Sequence, residues 1–154
     1  MDGLKVFNYQ REIEQLKAHF GFDFVAVALV QPAERHFELK WEFAVGNQSN
    51  RYRRIVLQSG KGVAGHVFKT GKPFLIEEVE EVLEEKDLFN YPIVVSEGLK
   101  SFGAIPLYKY NRVKGVLLVG YRAGKTLTPQ AFEDFKQLIG SRFGPFYNEE
   151  KVKE

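Results

Sequence analysis

The sequence predicts an α+β fold: an antiparallel sheet with its two terminal helices on one face, and short helices and a ligand pocket on the other. Three observations lead there. Residues 24–30 (FVAVALV) are a continuous apolar run rich in β-branched side chains, as expected of a central strand buried on both faces. Residues 36–45 alternate apolar and polar, as a strand with one wet face does. Helical periodicity stands at both ends of the chain, and turns link adjacent strands, so the sheet is expected to be largely antiparallel.

The N-terminal helix is expected over residues 1–20. Tyr9, Ile13, Leu16 and Phe20 fall on one face of it, and Gly21 supplies the stop. Pro32 ends the strand over 24–30. In the next strand Phe37, Leu39, Trp41, Phe43 and Val45 share one face. After a turn at 46–50, residues 51–57 begin basic and end apolar, which suits an edge strand. Gly60-Lys61-Gly62 opens a short helix over 63–69, closed by Gly71 and Pro73. A short strand at 73–79 and an acidic, mostly helical stretch at 77–87 follow. Tyr91-Pro92-Ile93 places proline at a first helical position. Strands at 101–110 and 114–122 are joined by a tight turn at Asn111-Arg112. Thr128-Pro129 caps a C-terminal helix expected over 128–147, with Phe132, Phe135, Leu138, Ile139 and Phe143 on one face.

The 154 residues suit one domain, 1–154. A net charge of +2 is too small to argue for nucleic acid or an anionic membrane. The chain has no cysteine, which excludes disulfides, thiolate metal sites and cysteine nucleophiles. The charged, amphipathic start is unlike a signal peptide, and no apolar run is long enough to span a bilayer. A cytoplasmic location is therefore expected.

SGKGVAGHVFKTGKP, the strand FLIEEV and the later LKSFGAIPLYKYNRVKGVLLVGYR resemble the GAF domain family over nearly the whole chain. The resemblance implies a GAF/PAS-like fold and ligand sensing without catalysis. Within the family the chain is most similar to stand-alone nitrate receptors that regulate an oxygen-sensing histidine kinase. That likeness rests on a tryptophan in the second strand, the Gly-x-Ala-Gly turn and a Tyr-Pro-Ile stretch. It implies nitrate lying against Trp41 and accepting backbone hydrogen bonds from Val63, Ala64 and Ile93, with Gly62, Tyr91 and Pro92 lining the pocket. The implied partners are nitrate and a sensor histidine kinase; a homodimer is left open. No cofactor, metal ligand or catalytic residue is implied.

The residues themselves support that place. Val63 and Ala64 stand at a helix start, where N–H groups lack internal partners and the helix dipole is positive. Gly62 lets a ligand approach closely. Ile93 follows Pro92 at a second helix start, and the Trp41 indole offers a flat face and one N–H. Three hydrogen bonds to a charged ligand, at roughly 1.5–3 kcal/mol each, suggest micromolar to millimolar affinity once association costs are deducted.

Other residues carry less. His66 could ligate haem in a related sensor, but it has no second ligand in view; His19 and His36 lack metal spacing. Ser59 and Ser96 lack the setting of a nucleophile. Arg51, Arg53 and Arg54 read as a solvated edge. Two alternatives remain: a GAF module for a larger ligand (cyclic nucleotide, haem or organic effector), and a free methionine sulfoxide reductase. The absence of cysteine disfavours the second.

Overall fold

Asn8 caps the first helix, its side chain accepting a hydrogen bond from the Arg11 amide at 3.0 Å. Helix α1 runs Tyr9–Phe20 and ends at Gly21, whose φ of 70° suits a glycine C-cap. The expected helix over 1–20 thus begins later than predicted. The computed structural model describes residues 6–147, so the part of that expectation falling on residues 1–5 lies outside the described residues.

Strands β1 (Phe24–Val30), β2 (Leu39–Val45), β3 (Val56–Leu57), β4 (Phe74–Ile76), β5 (Ser101–Lys109) and β6 (Arg112–Tyr121) form one sheet in the order β3-β2-β1-β6-β5-β4. Every pairing in it is antiparallel. Residues 24–28 of β1 are buried, because β1 lies between β2 and β6 with packed layers on both faces.

One face bears α1 and α6 (Pro129–Ile139) over Val25, Val27, Leu117 and Val119. The Thr128 hydroxyl caps α6 by accepting from the Ala131 amide at 3.1 Å. Against the opposite face lie α2 (Gly62–Thr70), α3 (Val79–Val82), α4 (Glu85–Leu88) and α5 (Pro92–Glu97). Their buried side chains join Ala26, Ala28, Ala104 and Leu118 in a second core.

Four local expectations need correction. The alternation along β2 breaks at a β-bulge: Val27 pairs with Phe43, whereas Ala28 pairs with Trp41, leaving Glu42 unopposed. The extra residue reverses the pleat. Leu39, Trp41 and Ala44 therefore enter the core under α2 and α5, while Phe43 and Val45 join the α1 side, where Tyr9 stacks on Phe43 at 4.7 Å. The strand also starts at Leu39 rather than His36, since His36 and Phe37 both adopt φ of 55°, outside the strand region.

Residues 51–57 are not one edge strand. Arg51–Arg54 is a 3-10 turn, followed by the two-residue β3. A strand would put Arg54 on the same face as Tyr52; the turn buries Tyr52 and leaves its three arginine neighbours exposed. The helix expected over 128–147 ends at Ile139. Gly140, with φ 67° and ψ −144°, leaves helical space, and a hairpin of β7 (Arg142–Phe143) and β8 (Phe146–Tyr147) follows. Phe143 and Phe146 are thereby folded back into the α1–α6 core, and Leu138, expected on the apolar face, is 54% exposed. The β5–β6 turn sits at Tyr110-Asn111, both with positive φ, one residue earlier than expected. Among the described residues no helix is long and apolar enough to cross a membrane.

Candidate functional site

Trp41 stands on β2 just ahead of the bulge, with its side chain in the core beneath α2 and α5. It is 2% exposed, and its indole Nε1–H has no hydrogen-bond partner among the described residues. A buried donor left unpaired costs about 1–3 kcal/mol, so this atom marks a place where a ligand acceptor would stabilise the fold.

Above it, α2 begins in an unusual way. Gly62 has a φ of 65°, so a left-handed residue is followed by helical Val63. Successive amides in such a sequence turn toward one side and form an anion-binding concavity. The Gly65 amide donates to the Lys61 carbonyl at 2.9 Å; the amides of Gly62, Val63 and Ala64 precede that bond, and the Lys61 side chain does not cap them. At α5, Val94 and Val95 donate to the Tyr91 carbonyl at 3.0 and 3.2 Å. The Ile93 amide lies ahead of both, on a helix start that also lacks a side-chain cap.

Val63 and Ala64 are fully buried and Ile93 is 1% exposed, all in the same core as Trp41. Gly62 is buried, and Tyr91 and Pro92 are half-buried. Of the residues named from sequence, Trp41, Val63, Ala64 and Ile93 share one core, Tyr91 packs against it, and no lysine or arginine is among them. Five surface hollows, of about 260 to 650 Å³, are lined by other residues.

Each glycine of the Gly62-Val63-Ala64-Gly65 turn has its own reason. Gly62 needs its positive φ, and a Cβ there would meet Leu57 at 2.9 Å. At Gly65 a Cβ would lie 2.3 Å from the Gln58 carbonyl oxygen, which is backbone and cannot swing aside. Gly65→Ala is expected to lower stability by about 1–3 kcal/mol, the usual range for overpacking. Urea denaturation measures it; a loss below about 0.5 kcal/mol would show that the turn is not held against residue 58.

Sequence reasoning missed the most connected polar group next to this site. Glu97, at the end of α5, is fully buried, and its Oε1 accepts from Arg122 Nη2 at 2.7 Å and from the Gln48 amide at 2.8 Å. Arg122 also donates to the carbonyls of Glu97 (2.7 Å) and Gly46 (3.0 Å), and its amide donates to Asp23 Oδ2 at 2.8 Å. The clamp ties α5 to the end of β6 and to the loop after β2. Glu97 and Arg122 are 25 residues apart, beyond the reach of any periodicity; a lone carboxylate closing the run PIVVSE was the available signal. His66 packs against Phe74 with ring centroids 4.2 Å apart, which accounts for it structurally.

Residues 10–141 match the model of the GAF domain family. Among solved structures, the chain is similar to Staphylococcus aureus NreA in a form mutated in its nitrate-binding site, with 36% identity and a TM-score of 0.77, covering 84% of this chain and 96% of that one. A free methionine-R-sulfoxide reductase from Neisseria meningitidis, solved with its substrate, shares 23% identity at a TM-score of 0.57, over 73% of this chain and 59% of that one; that likeness is one of fold. Among curated proteins, the HTH-type transcriptional activator RamA of Corynebacterium glutamicum is 26% identical over 125 residues, 79% of this chain. The chain spans 42% of that relative's length.

Proposed function

The chain belongs to the GAF domain family, and from that premise we propose that it is a nitrate receptor whose ligand sits between Trp41 and the starts of α2 and α5. The observation that carries the reading is the unpaired, buried Trp41 Nε1–H in one core with the amide-bearing residues Val63, Ala64 and Ile93. All four donors suit an acceptor-only, planar anion. The positive ends of two helices supply its counter-charge. The likeness to NreA supports nitrate over other small anions.

A site with these donors binds its ligand and has nothing with which to transform it. Backbone amides and an indole are neither nucleophiles nor acid–base catalysts at neutral pH, and the chain carries no cysteine for reductase chemistry. The receptor acts on a sensor histidine kinase in the cytosol, by presenting a different surface with and without nitrate. Since the site residues are sealed from solvent, entry requires a local opening. The α3–α5 segment, built from helices of four to six residues, is the part that opens, because short elements bury little and unfold locally at low cost.

Calorimetric titration of the purified chain with nitrate tests the reading, with the fluorescence of Trp41, the single tryptophan, as a second signal. Saturation in the micromolar to millimolar range is expected, together with slower amide exchange across residues 80–99. No saturable signal up to tens of millimolar nitrate by either method sinks the proposal.

A further inference from the structure

Two local irregularities open onto one hollow that the proposed anion site does not use. The first lies ahead of β2. His36 and Phe37 both hold φ of 55°, a region that side chains with a Cβ seldom enter even singly. The loop fixes them there: the His36 amide donates to the Ala33 carbonyl at 2.9 Å, and the Gln31 amide closes the loop onto the Glu38 carbonyl at 2.7 Å. A strand begun at residue 37 would put Phe37 on the buried face of Leu39; it stands 54% exposed instead, as a wall of the hollow. The second irregularity lies at the start of β6. Tyr108 pairs with Val113 and Leu107 with Gly115, which leaves Lys114 as an unopposed bulge residue. A flat strand sends successive side chains to opposite faces, yet Arg112, Val113 and Lys114 all line the same hollow.

The hollow measures about 510 Å³, within the range of small-molecule pockets. Val30, Phe37, Phe68 and Val113 supply its apolar surface, and Val30 and Phe68 are braced against the core beneath α2. Its ionisable side chains are Arg112, Lys114 and His36; no carboxylate among the described residues lines it. Neither Arg112 nor Lys114 takes part in an ion pair among the described residues. Glu38, whose carboxylate accepts from the lining Gln58 at 3.4 Å, is not itself part of the lining. Backbone strain and bulges kept beside a concavity mark ligand sites. We propose that this hollow binds a small organic acid, its carboxylate on Arg112 and Lys114 and its aromatic body against Phe37 and Phe68. Two unpaired cations without a carboxylate in the lining select the charge of the ligand, and two phenylalanines select its body. The hollow shares no residue with Trp41, Val63, Ala64 and Ile93, and the experiment is run without nitrate so that either site can fail alone.

The probe is phenylbutyrate, titrated into the full, isotope-labelled chain and followed by amide chemical shifts. Saturable shifts at residues 36–37, 58–59 and 112–114 are expected, with an affinity that weakens as salt is raised. Arg112→Gln combined with Lys114→Gln should weaken binding about tenfold, through loss of the charge-assisted contacts. Phe37→Asn should also weaken it about tenfold; asparagine suits left-handed backbone, so this variant deletes the ring and keeps the loop. Both variants should keep the wild-type circular dichroism spectrum, since Arg112 and Phe37 are exposed and Lys114 is half-exposed. Phenylbutylamine, with the same body and the opposite charge, should not bind there. Equal affinity for the amine, or unchanged affinity in either variant, overturns the proposal. So does the lack of any saturable shift at these residues up to tens of millimolar probe. Shifts confined to the Trp41 core overturn it too, because they assign the acid to the other site.

Discussion

Replacing Arg122 by methionine is expected to destabilise the protein by about 3–5 kcal/mol, the usual consequence of removing one partner from a buried ion pair. Glu97 is fully buried, so without the guanidinium its charge has only the Gln48 amide to face. The Arg122 side chain keeps 23% exposure, which points to the lower end of that range. The Gly46 and Glu97 carbonyls lose their donors at the same time. Chemical denaturation of wild type, Arg122→Met, Glu97→Leu and the double variant separates the terms. The double variant should recover much of the loss, because an apolar pair of similar volume avoids the unpaired charge. A single-variant loss under about 1 kcal/mol would mean that the clamp holds nothing. Ile93 is the second residue of the six-residue helix that Glu97 ends, so nitrate affinity should fall in Arg122→Met even where the chain remains folded.

Trp41 is the second position where a large effect is expected. Read from sequence alone, it is a ligand platform that could be truncated without harm to the fold. Its burial gives a different expectation: Trp41→Ala removes a 2%-exposed side chain from the centre of a core and should cost about 3–5 kcal/mol. Loss of nitrate binding in that variant would not separate a broken site from a broken fold. Trp41→Phe does. It keeps an aromatic face on β2 and deletes the unpaired Nε1–H. Stability should change by less than about 1.5 kcal/mol, as for a modest core swap, while nitrate affinity drops about tenfold, the value of one charge-assisted hydrogen bond. Calorimetry and thermal melts on the same preparation decide it. Unchanged affinity would place the anion away from the indole.

Much of the fold was legible because its signals are local. The FVAVALV run, the Thr-Pro helix start and the glycine stops each act within a few residues, and each appears where its chemistry requires. The Gly62-Val63-Ala64-Gly65 turn was also readable, since a left-handed φ and a backbone contact at 2.3 Å leave glycine as the residue that fits. A run of aromatics misled at the C-terminus: Phe143 was counted on the α6 face, but Gly140 and Gly144 take positive φ and fold it back as a strand.

By itself, then, the sequence determined most of the element types, the antiparallel layering and a motif at which an anion could meet free amides, because dihedral preference and hydrophobic period are properties of neighbouring residues. Tertiary structure alone decided which face Trp41 serves and what holds α5. The bulge at Glu42 exists only in the register of β2 against β1, and it moves Phe43 to the opposite core. Glu97 finds Arg122 only when α5 lies across the end of β6. Register and long-range ion pairing depend on what lies opposite, which no local pattern encodes.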